Sequence, residues 1–103
     1  MNLKSKTVAI LVEDLYQDME VWYPLYRLKE EGVRVITVGT GSKATYTGKY
    51  GYPVNADTEA GKITADDFDG IIIPGGFAPD MIRRYSEPIQ LVADAGKKGK
   101  VIA

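Results

Sequence analysis

The 103-residue sequence contains neither cysteine nor histidine. Without cysteine the chain cannot form a disulfide framework, which is usual for proteins of the cytoplasm. Structural zinc sites are built mainly from cysteine and histidine side chains, so no such site is expected here. The sequence therefore indicates no metal and no other cofactor, and it predicts a cytoplasmic protein.

An excess of charge of one sign and long hydrophobic runs are also missing. Thirteen Lys and Arg residues against fourteen Asp and Glu residues give a net charge of -1. This balance is typical neither of a basic nucleic-acid-binding protein nor of a polyacidic tail. The first apolar run is the six-residue segment Thr7–Val12, too short for a signal peptide or a membrane span. We therefore expect neither a nucleic-acid partner nor membrane association.

The remaining composition is that of a folded globular domain. Apolar residues make up 45% of the sequence and charged residues 26%, which excludes a disordered chain. The length suits one small domain.

The first forty residues predict a β-α-β unit. Thr7–Val12 is a continuous, β-branched apolar run, which indicates a parallel strand buried on both faces. Apolar residues then recur at helical spacing, with Asp18 as the expected N-cap and Gly32 as the left-handed stop. Arg34–Gly39 reads as the next strand. The predicted class is α/β with a parallel sheet.

The second half continues this alternation. Residues 44–56 suit one or two short strands with a tight turn, and residues 64–67 suit a capped single helical turn. Residues 70–73 predict a central strand and residues 87–98 a second helix. Residues 101–103 begin another buried strand. Because a natural domain rarely ends within a buried strand, we expect residues 1–103 to be the N-terminal part of a longer single domain.

Two loops follow strands of the predicted parallel sheet, where ligands of such sheets bind. They comprise residues 13–20 and residues 74–80. If their strands are neighbours, the loops converge on one crevice. In the second loop Gly75 and Gly76 are either a tight turn or an oxyanion cradle made of backbone N–H groups.

The acidic residues of these loops also allow two interpretations. Glu20 either stabilises the helix dipole or points across the crevice at a reacting group. Asp80 either caps a short helix or orients a catalytic imidazole. Three other acidic residues (Glu13, Asp14, Asp18) are expected to be solvated or capping, since no histidine joins them. Three tyrosines (Tyr46, Tyr50, Tyr52) are expected to pack on one face of the hairpin.

Three segments together resemble the ThiJ/PfpI family of the class I glutamine-amidotransferase-like superfamily, most closely its PfpI-type intracellular proteases. They are residues 8–32, which contain Glu-Val-Trp-Tyr-Pro; residues 46–52, Tyr-Thr-Gly-Lys-Tyr-Gly-Tyr; and residues 69–80, which contain Ile-Pro-Gly-Gly-Phe-Ala-Pro-Asp. The resemblance covers essentially the whole chain. It implies a flavodoxin-like three-layer sandwich with a mostly parallel central sheet.

The resemblance also implies roles for individual residues. The family's cysteine nucleophile would lie about three residues past Ala103, on a strained elbow after the last strand. Glu20 would be the protonated carboxyl group that contacts this thiol, and Gly75 and Gly76 would frame the oxyanion hole. Asp80 occupies a position where PfpI relatives usually have Glu, which reaches the catalytic histidine of a neighbouring subunit. The site would then lie at the interface of a homodimer or a larger homo-oligomer.

The implied activity is that of a cysteine-dependent hydrolase with a small carbonyl or peptide substrate. Family members act as intracellular peptidases or as glyoxalases and deglycases on methylglyoxal adducts, and the sequence does not choose between these reactions. One alternative is a redox-sensing or chaperone-like stress protein with an oxidisable cysteine. Another is a stand-alone flavodoxin-like binding module.

Overall fold

The structure of the protein, a computed structural model, describes residues 3–103. It alternates strands and helices, as the sequence predicts. The longer elements, in chain order, are β1 (Thr7–Val12), α1 (Asp18–Glu30), β2 (Arg34–Gly39), β3 (Thr45–Thr47), β4 (Pro53–Asn55), β5 (Thr58–Glu59), β6 (Gly70–Ile72), α2 (Ala78–Ile82), α3 (Ser86–Lys97) and β7 (Val101–Ile102). None of the helices within residues 3–103 combines the length and the apolar character needed to cross a bilayer.

The main sheet has five parallel strands in the order β5-β2-β1-β6-β7. Strand β1 lies at its centre, and residues 9–12 are fully buried, because a strand covered on both faces can be apolar throughout. The predicted α/β class and parallel sheet are confirmed. A separate antiparallel hairpin, β3-β4, fills the segment predicted to hold one or two short strands.

Local signals set the ends of several elements as predicted. Helix α1 packs Val21 and Leu25 against the sheet, and Gly32 follows it at φ +83°. Before β6, the Thr64 N–H donates to Asp67 Oδ2 at 2.8 Å, which closes one helical turn.

The predicted N-cap of α1 is wrong. The helix begins at Asp18 itself, and the capping position is Gln17, whose side chain makes no capping hydrogen bond. The Asp18 carboxylate instead accepts hydrogen bonds from the N–H groups of Tyr50 (2.9 Å) and Tyr52 (3.1 Å). The hairpin thus offers this carboxylate two donors that are distant in sequence, and it takes them in place of the helix N-terminus.

Two burial predictions are also corrected. Tyr46 is fully buried, but Tyr50 and Tyr52 are 69% and 64% exposed, so the three do not share one packed face. Val101 and Ile102 of β7 are exposed as well, at 69% and 45%, since within residues 3–103 this strand pairs with β6 alone.

Candidate active site

The two loops expected to converge do so at the carboxyl edge of the sheet. Strands β1 and β6 are parallel neighbours, so the segments that follow them leave the sheet side by side. A short antiparallel bridge pairs Tyr16 with Gly76. The Gln17 N–H donates to the Gly75 carbonyl and the Phe77 N–H donates to the Leu15 carbonyl, both at 3.0 Å. The crevice predicted from the sequence therefore exists as a hydrogen-bonded junction.

Glu20 lies on the first turn of α1 and turns back onto the second loop. The Gly75 N–H donates to its Oε1 atom at 2.9 Å, across 55 positions of sequence. A Cβ atom at position 75 would meet this same oxygen at 2.9 Å, so the flexible Glu20 carboxylate would have to shift. Glu20 as a whole residue is exposed.

Gly76 is held in a conformation that excludes other residues. Its φ is +81°, and an added Cβ would meet the Leu15 carbonyl oxygen at 2.6 Å and the Gln17 nitrogen at 2.8 Å. The two hydrogen bonds of the bridge involve the Gly75 carbonyl and the Phe77 N–H of the glycine loop. The Gly76 N–H is therefore not a donor in either bond. Of the two predicted oxyanion donors, the Gly75 N–H is already bonded to Glu20.

Asp80 stands apart from this junction. It is the third residue of α2, whose capping position is Phe77, so the interpretation of Asp80 as a helix cap is wrong. Its exposed carboxylate lies 3.3 Å from Arg83 Nη1. Within residues 3–103, no hydrogen bond joins it to Glu20 or to the two glycines.

The β3-β4 hairpin forms the third side of the junction, which the sequence did not indicate. The Leu15 N–H donates to the Thr47 carbonyl and the Lys49 N–H donates to the Tyr16 carbonyl, both at 2.8 Å. Leu15 is the non-glycine residue with positive φ, at +64°, among those described. A signal for this contact is Gly48, since an added Cβ would collide with the Asp18 carboxylate.

The buried Tyr16 side chain connects the hairpin to α1 through hydrogen bonds. Its hydroxyl donates to the Tyr52 carbonyl at 2.6 Å and accepts from Trp22 Nε1 at 3.2 Å. Burial raises the pKa of the Tyr16 phenol, outweighing the opposite effect of the Trp22 hydrogen bond. This phenol is thus a neutral structural group.

Glu13 is buried, contrary to the expectation of a solvated side chain. Its Oε2 accepts hydrogen bonds from Thr40 Oγ1 at 2.5 Å and from Ser42 Oγ at 3.1 Å, and its Oε1 accepts from the Asp14 N–H at 2.8 Å. These donors compensate the loss of hydration. They also fix the end of β1 from which the first loop departs.

Asp14 is the partly exposed neighbour of this network. Burial raises the pKa of its carboxyl, but the hydrogen bond from Lys43, the Thr47 N–H at 3.0 Å and the Lys43 charge outweigh that effect and leave the pKa lowered. Among residues 3–103 no group of three or more acidic, cysteine or histidine side chains is placed to hold a metal ion.

The sequence is similar to those of known proteins. A deglycase of Pyrococcus abyssi is 38% identical over 96 residues, which are 93% of this chain and 57% of the relative. A Bacillus subtilis relative, provisionally named a cysteine protease, is 37% identical over 84 residues, 82% of this chain and 50% of its own. The chain thus spans about half the length of these curated relatives.

A solved structure has the same fold. It is a two-domain protein of Anabaena variabilis that contains DJ-1/ThiJ/PfpI-like and ferritin-like domains. Its TM-score is 0.91 at 36% sequence identity, over 95% of this chain and 28% of that chain. The DJ-1/PfpI family itself matches residues 6–103. On this match, and on the flavodoxin-like sheet that carries the Glu20–Gly75 junction, the chain belongs to the DJ-1/PfpI family.

Proposed function

We propose that this chain forms the N-terminal part of a cysteine-dependent hydrolase that acts on a polarised carbonyl group. One relative is named a deglycase and another is provisionally named a cysteine protease, and both names support this class of reaction. Deglycation of methylglyoxal adducts and peptide hydrolysis both begin with attack of a thiolate on a carbonyl carbon. Of the two, the deglycase reaction is favoured here, because relatives of that name are matched over 93% of this chain.

The observation that carries the proposal is the contact between Glu20 and Gly75 beside the open end of β7. Strands β6 and β7 pair in parallel, with Gly70 opposite Val101 and Ile71 opposite Ile102, and the Ile73 N–H donates to the Ala103 carbonyl at 2.9 Å. Continued in this one-to-one register, the third residue after Ala103 lies level with Gly75. The family's nucleophile is expected at about this place.

In the proposed reaction the thiol gives its proton to a histidine and the thiolate attacks the carbonyl carbon. A carbon–sulfur bond forms as the electron pair of the C=O bond moves onto its oxygen. The Gly76 N–H, together with Gly75 where the substrate displaces Glu20, donates hydrogen bonds to this oxyanion. The Glu20 carboxyl group lies beside the sulfur and tunes its reactivity.

Asp80 has a separate role in this proposal. Its carboxylate is exposed on α2, and among the described residues it pairs with the exposed Arg83. An exposed carboxylate of this kind can reach the histidine of a neighbouring subunit and hold it in orientation. The active form is therefore proposed to be a homo-oligomer, and the place of action the cytoplasm.

Replacement of Glu20 tests the site. Glu20→Leu removes the acceptor of the Gly75 N–H and any contact with the thiol, and we expect the rate of thiol alkylation to change about tenfold. Glu20→Gln keeps an acceptor and a donor, so its rate should stay closer to that of the wild type. Glu30→Leu, at the exposed far end of the same helix, is the matched control.

The rates are measured with iodoacetamide, beside turnover of a methylglyoxal adduct. Unchanged alkylation in both Glu20 variants would remove Glu20 from the site. A stable sulfinate under peroxide, with no turnover of any adduct or peptide, would favour the redox-sensor alternative.

A further inference from the structure

We propose that Lys49 forms a carboxylate-binding subsite on the rim of this active site. The substrate would then be a carbonyl compound that carries a carboxylate, such as an adduct of a free amino acid or of a peptide C-terminus. This inference rests on the proposed function, but it is tested below by a binding measurement that does not require turnover.

The backbone places Lys49 next to the loop of the paired glycines. Its N–H donates to the Tyr16 carbonyl at 2.8 Å, and Tyr16 pairs with Gly76 in the antiparallel bridge. Phe77 follows Gly76 directly. Position 49 is therefore separated from the proposed oxyanion donor by one paired residue, although the two are 27 positions apart in sequence.

Two exposed aromatic rings position the ammonium group. Lys49 Nζ lies 5.6 Å from the ring centroid of Phe77 and 5.9 Å from that of Tyr50. Phe77 and Tyr50 are each more than half exposed, and both distances fall within the range of cation–π attraction. Lys49 is itself exposed, and its contact with the Phe77 ring places the ammonium group beside the glycine loop.

The positive charge of Lys49 is not neutralised by a carboxylate of the described chain. Lys43 and Lys98 each form a salt bridge, with Asp14 and Asp66 respectively. Within residues 3–103, no acidic oxygen lies within 4.0 Å of Lys49 Nζ. An ammonium held in this way can form a charge-assisted hydrogen bond with an incoming carboxylate.

The arrangement selects for a substrate with two separate polar features. Its carbonyl oxygen would bind at the Gly76 N–H, and its carboxylate would bind at Lys49, with the Phe77 ring beside the atoms between them. A neutral amide could occupy the first position but would gain nothing from the second. The subsite thus raises the affinity for the acid without altering the chemical step.

The test compares an acid with its amide in the whole protein. N-acetylglycine and N-acetylglycinamide are titrated separately, with the amide signals of Gly76 and Phe77 followed by NMR. KM and kcat are measured with methylglyoxal adducts of Nα-acetyl-lysine and Nα-acetyl-lysinamide. The variants are Lys49→Met, which keeps an unbranched side chain without the charge, Lys49→Arg, which keeps the charge, and Lys29→Met on the exposed face of α1 as the control.

We expect Lys49→Met to raise the Kd for N-acetylglycine and the KM for the acid adduct about fivefold, the effect of about 1 kcal/mol. The values for both amides and the kcat should not change. Lys49→Arg and Lys29→Met should behave like the wild type. Salt should weaken binding of the acid to the wild type but not to Lys49→Met.

An equal Kd for N-acetylglycine in the wild type and in Lys49→Met would overturn the inference, as would equally tight binding of acid and amide. Failure of the proposed function looks different. In that case no adduct is turned over, while binding of N-acetylglycine still depends on the charge of Lys49.

Discussion

The substitution Gly76→Ala tests the junction that holds the proposed site together. Gly76 has φ +81°, where a residue with a Cβ atom costs about 1 kcal/mol or more. The new Cβ would also lie 2.6 Å from the Leu15 carbonyl oxygen, a backbone atom that cannot rotate away as a side chain can. The bridge between Tyr16 and Gly76 must therefore open.

The size of the effect follows from what the bridge contains. Its opening removes two backbone hydrogen bonds, both 3.0 Å long, from Gln17 to Gly75 and from Phe77 to Leu15. Each contributes about 1 kcal/mol net, so with the backbone strain the free energy of unfolding should fall by about 3 kcal/mol. That is a large share of the stability of a typical domain.

Gly51→Ala is the matched control. Gly51 has a similar φ of +93°, but an added Cβ would meet no atom within 4 Å, so only the backbone strain of about 1 kcal/mol remains. Gly75→Ala is a second comparison, because its Cβ would meet the flexible Glu20 carboxylate at 2.9 Å. It should disturb the site more than the stability.

The assay is equilibrium urea unfolding followed by circular dichroism, with the m-value compared between variants. The rate of thiol alkylation is measured on the same samples, because opening of the bridge should displace the Gly75 N–H from Glu20. A loss of stability in Gly76→Ala no larger than that in Gly51→Ala would refute the reasoning. The close approach of the two backbones would then contribute nothing to the difference in unfolding free energy.

Two further predictions concern Asp14 and Asp80. Because the pKa of Asp14 is lowered in the folded protein, its contribution to stability is present above the ordinary value of 3.8 and is lost as the pH falls through the lower folded value. Asp14→Asn should therefore be less stable than the wild type in urea at pH 7 but equal to it in strong acid, and a pH-independent difference would contradict this. Asp80→Ala should lower turnover about tenfold with little change in unfolding free energy, since exposed ion pairs stabilise little. Arg83→Ala breaks the same pair but should stay active, so equal losses in both variants would exclude the role of Asp80.

The elements of the fold that could be predicted are those with a local cause. The apolar run of β1 can be buried only at the centre of a sheet, and Gly32 ends α1 because its left-handed φ of +83° suits glycine. The turn closed by Thr64 and Asp67 has both partners within three residues. In each case the residues that decide the structure are close together in the sequence.

Two of the predictions that were wrong concern side chains whose partners are far away in the sequence. Asp18 and Glu13 look like surface carboxylates, yet the two N–H donors to Asp18 and the two hydroxyl donors to Glu13 belong to segments 27 to 34 positions further along. Hydrogen bonds from Thr40 and from the hairpin amides compensate the loss of hydration when these carboxylates are buried. The local sequence pattern around an acidic residue does not predict such distant donors.

The sequence by itself determined the α/β alternation and the carboxyl ends of the strands, and so the two segments after β1 and β6 that carry Glu20 and Gly75. Only the tertiary structure decided that β1 and β6 are neighbours and that the Gly75 N–H donates to Glu20 at 2.9 Å. It also brought the hairpin with Lys49 against the same loop. The physical reason is that strand periodicity follows from local chain geometry, whereas strand order and contacts across 55 positions depend on how the whole chain packs.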